Sequence, residues 1–155
     1  MTKENKAKLI TAELKKLFPK TKIALKYSNP IELFVAVVLS AQTTDKQVNV
    51  VTADLFKKYR TIEDYVKTPL SQFEQDVKRI GLYRGKAKNI KAALEIISKQ
   101  YIGKIPDSMS KLIELPGVGR KTANVLLFNV YGKNEGIAVD THVRRLSNLL
   151  DLSSN

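Results

Sequence analysis

The segment that most constrains the fold runs from Leu115 to Asn124 and reads Leu-Pro-Gly-Val-Gly-Arg-Lys-Thr-Ala-Asn. Its glycines, Gly117 and Gly119, predict a tight turn that opens a helix, since glycine adopts positive φ angles and lets another chain approach closely. The first amides of a helix lack intrahelical partners, and with the positive end of the helix dipole they form an anion site that suits a phosphate. Lys121 is expected in the first turn of this helix, beside that anion site.

The rest of the chain predicts an all-α fold, a compact helical array with short loops. Apolar residues recur at spacings of three or four, and no segment alternates over four or more residues, so we expect no sheet. The expected helices span about residues 3–18, 30–40 (buried and central), 45–59, two short segments after Thr61 and Ser71, 84–100, 107–115, 119–131 and a last one after Asp140.

Capping residues mark several helix ends. Asn29 as N-cap and Pro30 at the first helical position predict the start of the central helix. The other expected marks are capping boxes at Thr61 with Asp64 and at Ser71 with Glu74, a C-terminal stop at Gly81, and N-caps at Thr44, at Asp107 or Ser108, and at Asp140.

The charge balance indicates a polyanionic partner. Lys and Arg number 27 against 15 Asp and Glu, which gives a formal net charge of +12. Such an excess is typical of nucleic-acid-binding proteins, although a merely soluble basic protein has the same composition.

Composition also limits the cofactors and the compartment. The chain has no cysteine, so it can form neither a disulfide nor a thiolate metal site, and cysteine usage does not reveal its redox compartment. The polar N-terminus does not resemble a signal peptide, and the longest apolar run, 33–39, is too short to span a bilayer. We therefore expect a cytoplasmic, nucleoid-associated protein without a membrane partner, and a monomer.

Four blocks along the chain carry a resemblance to a known family. They are Asn29-Pro30 with Leu39-Ser40-Ala41-Gln42-Thr43-Thr44-Asp45, then Ile80-Gly81-Leu82-Tyr83 with Lys86-Ala87, the glycine turn at 115–124, and Val139-Asp140-Thr141-His142. In this order and approximate spacing they resemble the endonuclease III family of helix–hairpin–helix DNA glycosylases. The resemblance covers nearly the whole chain.

The resemblance implies a base-excision DNA repair enzyme, a glycosylase with abasic-site lyase activity that removes damaged pyrimidines from duplex DNA. Lys121 would be the nucleophile that forms a Schiff base with the sugar. The positive end of its helix and adjacent Arg120 both disfavour a second positive charge there, which suits an attacking amine. Asp140 would be the catalytic carboxylate, although its position alone predicts only an N-cap. The alternatives are a non-catalytic helix–hairpin–helix DNA-binding module and a glycosylase of different base specificity.

The resemblance also implies residues that bind DNA with a damaged base or an abasic site. Gln42 and Leu82 would fill the space left by a flipped base, although Leu82 also suits a hydrophobic contact at a helix end. Ser40 and Asp45 would line the base pocket. The remaining expected contacts are Leu115, Gly117, Val118, Gly119, Arg120, Thr122 and His142, with Tyr83, Arg84, Lys86 and Lys88 adding basic and aromatic character beside Leu82.

Three regions are expected: an N-terminal helix of an incomplete second lobe at 1–20, a helical glycosylase domain at 21–135 with the hairpin at about 107–131, and a loop with the catalytic Asp at 136–155, where a shortened C-terminal lobe begins. In the family, further C-terminal helices and a four-cysteine segment with a [4Fe-4S] cluster follow. This chain has no cysteine to hold such a cluster, so we expect no cofactor in it. We also expect the apolar face of the first helix to lack part of its cover.

Overall fold

The computed structural model describes residues 1–153 of the 155-residue chain, so Ser154 and Asn155 of the predicted terminal loop lie outside the described residues. The described residues form helices and no strand, which confirms the all-α prediction. The helices are α1 (Lys3–Leu17), α2 (Pro30–Leu39), α3 (Asp45–Lys58), α4 (Ile62–Lys67), α5 (Leu70–Asp76), α6 (Tyr83–Tyr101), α7 (Met109–Ile113), α8 (Arg120–Tyr131) and α9 (Thr141–Leu149).

These helices belong to two compact units. The central unit, Ala24–Ala138, contains α2 to α8 and the hydrophobic core. The terminal unit joins Met1–Ile23 to the segment from Val139 onward and contains α1 and α9, neither of which buries a side chain. Within the part of the chain that the structure describes, no helix combines the length and the apolar character needed to cross a membrane.

Helix α2 is the centre of the core, as its composition predicts. The Asn29 side chain accepts a hydrogen bond from the Glu32 amide at 2.9 Å, and Pro30 occupies the first turn. The carboxylate of Glu32 accepts from the Ser28 amide at 2.6 Å, which completes a reciprocal cap. Every residue from Glu32 to Leu39 is buried, because α2 packs against α3, α6 and α8.

Helix α6 is the second organising element, since it packs against α2, α4 and α5. Its predicted apolar face is buried through Ala87, Ile90, Leu94 and Ile97. Two lysines, Lys86 and Lys91, are buried on the same helix, and they contact different segments of the chain.

Three predicted helix boundaries need correction. The capping box at Thr61 is confirmed, but the one at Ser71 is wrong, because α5 begins two residues earlier, at Leu70 after Pro69, whose carbonyl accepts from the Phe73 amide at 3.1 Å. Gly81 does not end this helix, since α5 stops at Asp76 and a turn with an Ile80 N to Val77 O bond follows.

The first hairpin helix is shorter than predicted. Helix α7 starts after Ser108, one of the two predicted caps, but Ser108 makes no side-chain capping bond. It ends at Ile113 rather than near Leu115, because the Leu115 amide turns back to the Leu112 carbonyl at 3.1 Å. Helix α7 packs against α8, and the two enclose the glycine turn.

Candidate functional site

The two glycines of the hairpin differ in backbone conformation. Gly117 has φ +79°, which confirms the predicted positive φ. Gly119 has φ −94° and ψ 178°, an extended conformation that any residue adopts, so a positive φ at this position is wrong. The reason is that Gly119 is the N-cap of α8, and N-caps are normally extended.

The space around these glycines also differs. A Cβ atom on Gly117 would lie 3.0 Å from Asn89 Cβ and 3.3 Å from Asn89 Nδ2, so α6 demands glycine there. A Cβ on Gly119 would meet no atom of the described residues within 4 Å, apart from its chain neighbours and the α8 backbone. The protein itself therefore does not require glycine at 119, and the open side of the hairpin is the side that an external chain can approach.

The start of α8 presents amides and positive charge together. The first intrahelical bond runs from the Ala123 amide to the Gly119 carbonyl at 2.9 Å, so the amides of Arg120, Lys121 and Thr122 precede it. Arg120 and Lys121 are exposed, and Thr122 is half-buried. The predicted placement of Lys121 in the first turn is confirmed, and its chemical role stays a prediction.

Leu115 and Val118 belong to the hairpin but point into the protein. Their side chains are 3% and 7% exposed, and the Val118 amide donates to the Leu115 carbonyl at 3.1 Å. Any contact of these two residues with DNA therefore uses their backbone. That contact stays a prediction.

Asp140 and His142 lie in the terminal unit at the start of α9. Asp140 is the N-cap, and its Oδ1 accepts from the Val143 amide at 2.7 Å, which confirms the predicted cap. The capping bond fixes the orientation of the carboxylate at the positive end of α9. His142 is exposed in the first turn of α9, and its predicted contact with phosphate stays a prediction.

Gln42 occupies a strained turn between α2 and α3. Its φ is +53°, and its side chain is exposed. The turn is closed by the Thr43 amide, which donates to the Ser40 carbonyl at 3.1 Å. A left-handed conformation costs a residue other than glycine about 1–2 kcal/mol, so the surrounding structure must hold Gln42 in place.

The two predicted base-pocket residues flank this turn. The Ser40 hydroxyl donates to the Val37 carbonyl at 2.8 Å and so points back along α2. Asp45 is the exposed first residue of α3, after the Thr44 N-cap. Their predicted contact with a base is left untested by this geometry.

Leu82 occupies a second strained position. Its φ is +57°, and the residue is 69% exposed although its side chain is apolar. Ile102 at the other end of α6 is also left-handed, but that is the usual conformation where a helix ends. Leu82 is instead the N-cap, where extended backbone is normal, so its conformation is the unusual one.

The turns that carry Gln42 and Leu82 lie side by side. A Cβ on Gly81 would lie 3.7 Å from Thr43 Oγ1 and 3.9 Å from the Gln42 carbonyl oxygen. Gln47 Nε2 also donates to the Arg79 carbonyl at 3.2 Å, which ties α3 to the approach of the second turn. The fold therefore brings together two residues that are forty positions apart in the sequence.

The predicted contribution of Lys86 to the DNA-facing surface is wrong. Lys86 is 7% exposed, and its Nζ donates to the Leu39 carbonyl at 2.8 Å and to Thr43 Oγ1 at 2.9 Å. Burial lowers the pKa of Lys86 below its ordinary value. Helical spacing contains the missed signal, because Lys86 shares a face with the apolar residues Ile90 and Ala93.

The residues present do not fit the [4Fe-4S] cluster that the family resemblance implies. Cluster ligation of this type needs four thiolates, and the 155 residues contain no cysteine.

The chain is similar to known proteins over most of its length. Residues 35–155 match the family described as HhH-GPD superfamily base excision DNA repair protein. Endonuclease III of Bacillus subtilis (strain 168) is 52% identical over 136 residues, which cover 88% of this chain. The match spans 62% of the length of that relative.

Solved structures of endonuclease III with DNA are also similar. A non-covalent endonuclease III–DNA complex superposes with a TM-score of 0.88 at 48% sequence identity, and the match covers 95% of this chain and 68% of the other. A trapped endonuclease III–DNA covalent intermediate with an estranged adenine gives the same TM-score, identity and coverage. On the profile match and the sequence identity together, the chain belongs to the HhH-GPD superfamily of base excision DNA repair proteins.

Proposed function

We propose that the chain acts on duplex DNA as a glycosylase and abasic-site lyase, and that damaged pyrimidines are its substrates. The observation that carries the proposal is the exposed side chain of Lys121. It lies two residues after Gly119, where the hairpin is open to an external chain. The trapped covalent intermediate of the related endonuclease III supports a covalent route. The net charge of +12 supports a polyanionic substrate.

The start of α8 holds the DNA backbone in this proposal. A phosphate oxygen accepts from the amides that precede the first intrahelical bond, and the dipole of α8 stabilises its charge. Because Gly119 has no side chain, the phosphate can approach the backbone closely. Arg120 adds a second positive charge to the same surface.

Lys121 then acts as the nucleophile. Its neutral amine attacks C1′ of the damaged nucleotide and forms a carbon–nitrogen bond, while the glycosidic bond breaks and the base leaves with its electron pair and a proton. Ring opening converts the adduct to an imine. Loss of a C2′ proton expels the 3′ phosphate, and water releases the lysine.

Asp140 acts as the carboxylate of this reaction. Ionised carboxylate stabilises positive charge that develops on the sugar, and it accepts or returns protons. The capping bond to the Val143 amide limits the rotamers of the side chain. Replacement by Asn, itself a good N-cap, should therefore spare α9.

The direct test is borohydride trapping on DNA with an abasic site. Wild-type protein should give a covalent protein–DNA adduct, and Lys121→Gln should give none. Undiminished trapping by Lys121→Gln would exclude this lysine as the nucleophile. DNA binding without any trapping by the wild type would instead favour the non-catalytic DNA-binding module.

A second test addresses Asp140. We expect Asp140→Asn to keep most DNA affinity and to lower turnover by about 100-fold, the scale of one lost electrostatic group. The measurements are single-turnover rates and affinity for an uncleavable abasic analogue. Wild-type rates in this variant would reduce Asp140 to a helix cap.

A further inference from the structure

We propose that Lys86 is a positioning residue that holds Gln42 and Leu82 at a fixed separation, so that the two side chains enter the duplex together. The inference rests on the proposed function, because it concerns how that function opens the DNA. Lys86 itself is buried and is not a catalytic residue.

On the side of Gln42, the Lys86 ammonium spans the turn from one end to the other. It donates hydrogen bonds to the carbonyl of Leu39, the last residue of α2, and to the hydroxyl oxygen of Thr43, which follows Gln42 directly. The two acceptors therefore bracket the strained residue. One cation in this way restricts the backbone on both sides of Gln42.

On the side of Leu82, the contact is made by the backbone amide of Lys86. The Lys86 amide donates to the Leu82 carbonyl at 3.2 Å, which is the first hydrogen bond of α6. Lys86 thus bonds Leu82 through its amide and the turn of Gln42 through its ammonium.

The choice of lysine at this buried position argues for a task beyond packing. Burial disfavours the charged ammonium, and an apolar side chain of similar length would fill the space without that cost. The charge is retained where a helix C-terminus and a hydroxyl need a donor. The bonds of Lys86 stabilise the turns of Gln42 and Leu82, two residues with left-handed backbone conformations. Such conformations persist only where the surrounding structure holds them.

The separation matters because a flipped base leaves a gap in one strand. Filling it takes a polar group for the orphaned base and an apolar group between the steps. If the backbone of either turn changes conformation, one of the two side chains is displaced from the gap. The state with the flipped base then loses stability relative to the state with the stacked base. The effect should therefore fall on turnover more than on the first encounter with DNA, which is governed by charge.

Lys91 provides a matched control on the same helix. It is 8% exposed, and its ammonium also donates to carbonyls at a helix end. These carbonyls belong to Tyr65, Val66 and Thr68, away from both turns. Lys86→Met and Lys91→Met therefore remove the same charge and the same kind of bond. Only the first removes the ammonium that links the start of α6 to the turn of Gln42, and the amide bond to Leu82 is kept in both variants.

The first arm of the test is amide exchange of the free 155-residue chain. We expect Lys86→Met to accelerate exchange in segment 41–44 by about tenfold or more and in segment 82–84 by less, since the amide bond to Leu82 is kept, while Lys91→Met leaves both unchanged. Thr43→Val, which removes one acceptor and keeps the charge, should give a smaller acceleration in the first segment and serves if Lys86→Met does not fold. Wild-type protection of both segments in the variants that fold would overturn the proposal.

The second arm uses DNA with 2-aminopurine opposite an uncleavable tetrahydrofuran abasic analogue. Wild type and Lys91→Met should raise the fluorescence on binding, because the probe unstacks. Lys86→Met should give at most about half of that rise at a similar Kd, and its kcat should fall with little change in KM. Lys86→Arg, which keeps a donor, should restore part of both signals.

A full fluorescence rise in Lys86→Met, or an equal loss in Lys91→Met, would overturn the positioning role. Failure of the proposed function has a different signature, since wild type would then give no borohydride adduct. The exchange arm needs no catalysis and still decides whether Lys86 holds the two turns.

Discussion

The two buried lysines of α6 use the same chemistry for different purposes. Near the N-terminal end, Lys86 is buried and bonds the last carbonyl of α2. Five residues later, Lys91 is buried to the same degree and bonds carbonyls where α4 ends. Burial lowers the pKa of both lysines, and both satisfy acceptors that a helix C-terminus leaves without partners.

What lies beyond these acceptors is different. Past Lys86 are the exposed, left-handed Gln42 and Leu82. Past Lys91 is a cluster of three aromatic residues that are almost fully buried. Tyr65 stacks on Tyr59 with 4.7 Å between the ring centroids, and it contacts Phe73 edge to face with 5.9 Å between the centroids. A buried lysine is therefore not by itself a sign of function. The exposure and the backbone strain of the segment that each lysine holds distinguish the two sites.

The largest expected effect is on stability at Lys91. Lys91→Met leaves three carbonyls without their donor and should lower the free energy of unfolding by about 3 kcal/mol. Urea denaturation measures the loss. The DNA-induced fluorescence should remain that of the wild type at temperatures where the variant is folded. A loss of that signal would break the comparison, because Lys91 would then also serve the DNA-facing turns.

An intermediate effect is expected at the hairpin, which rests on the N-terminal half of α6 through Asn89. Gly117→Ala forces alanine to φ +79° and against Asn89, so it should lower the free energy of unfolding by about 2 kcal/mol.

Gly119→Ala is the matched control for that variant. Its Cβ meets open space, so stability should change by less than about 0.5 kcal/mol. Affinity for any duplex should still fall by about tenfold, since the methyl group occupies the expected path of the phosphate. Titrations with undamaged and damaged duplex measure this. Unchanged affinity in Gly119→Ala would place the phosphate elsewhere.

The smallest effect concerns acid stability beside the aromatic cluster. Burial acts to raise the pKa of Asp76, but hydrogen bonds from Lys58, Tyr59 and Gln72 outweigh it and hold that pKa below its ordinary value. The ionised carboxylate therefore stabilises the fold above the unfolded-state pKa of about 3.9, and this contribution disappears as the pH falls through the lower folded-state pKa.

Asp76→Asn should accordingly lower the free energy of unfolding by about 1 kcal/mol at neutral pH. Denaturation curves from pH 7 downward should show the difference from wild type shrink as the pH approaches the folded-state pKa. A difference that stays constant with pH would show that the bonds depend on shape rather than on charge.

Local interactions explain how much of the fold the sequence could predict. The start of α2 at Asn29 and Pro30, the capping box of Thr61 and Asp64, and the cap at Asp140 all involve partners within four residues. The capping box at Ser71 failed because Pro69 supplied a competing helix start two residues earlier. Both signals are local, and the helix that starts after Pro69 buries Phe73 in the core.

The candidate site divides in the same way. The sequence by itself determined the hairpin, the place of Lys121 in the first turn of α8, and the basic character of the chain, because each follows from residue type and short spacing. Only the tertiary structure decided that Lys86 turns inward to the Leu39 carbonyl, 47 positions away, and that Gly117 and Gly119 face different surroundings. Contacts between distant segments depend on how whole helices pack, and no spacing along the chain specifies which side of a residue will be enclosed.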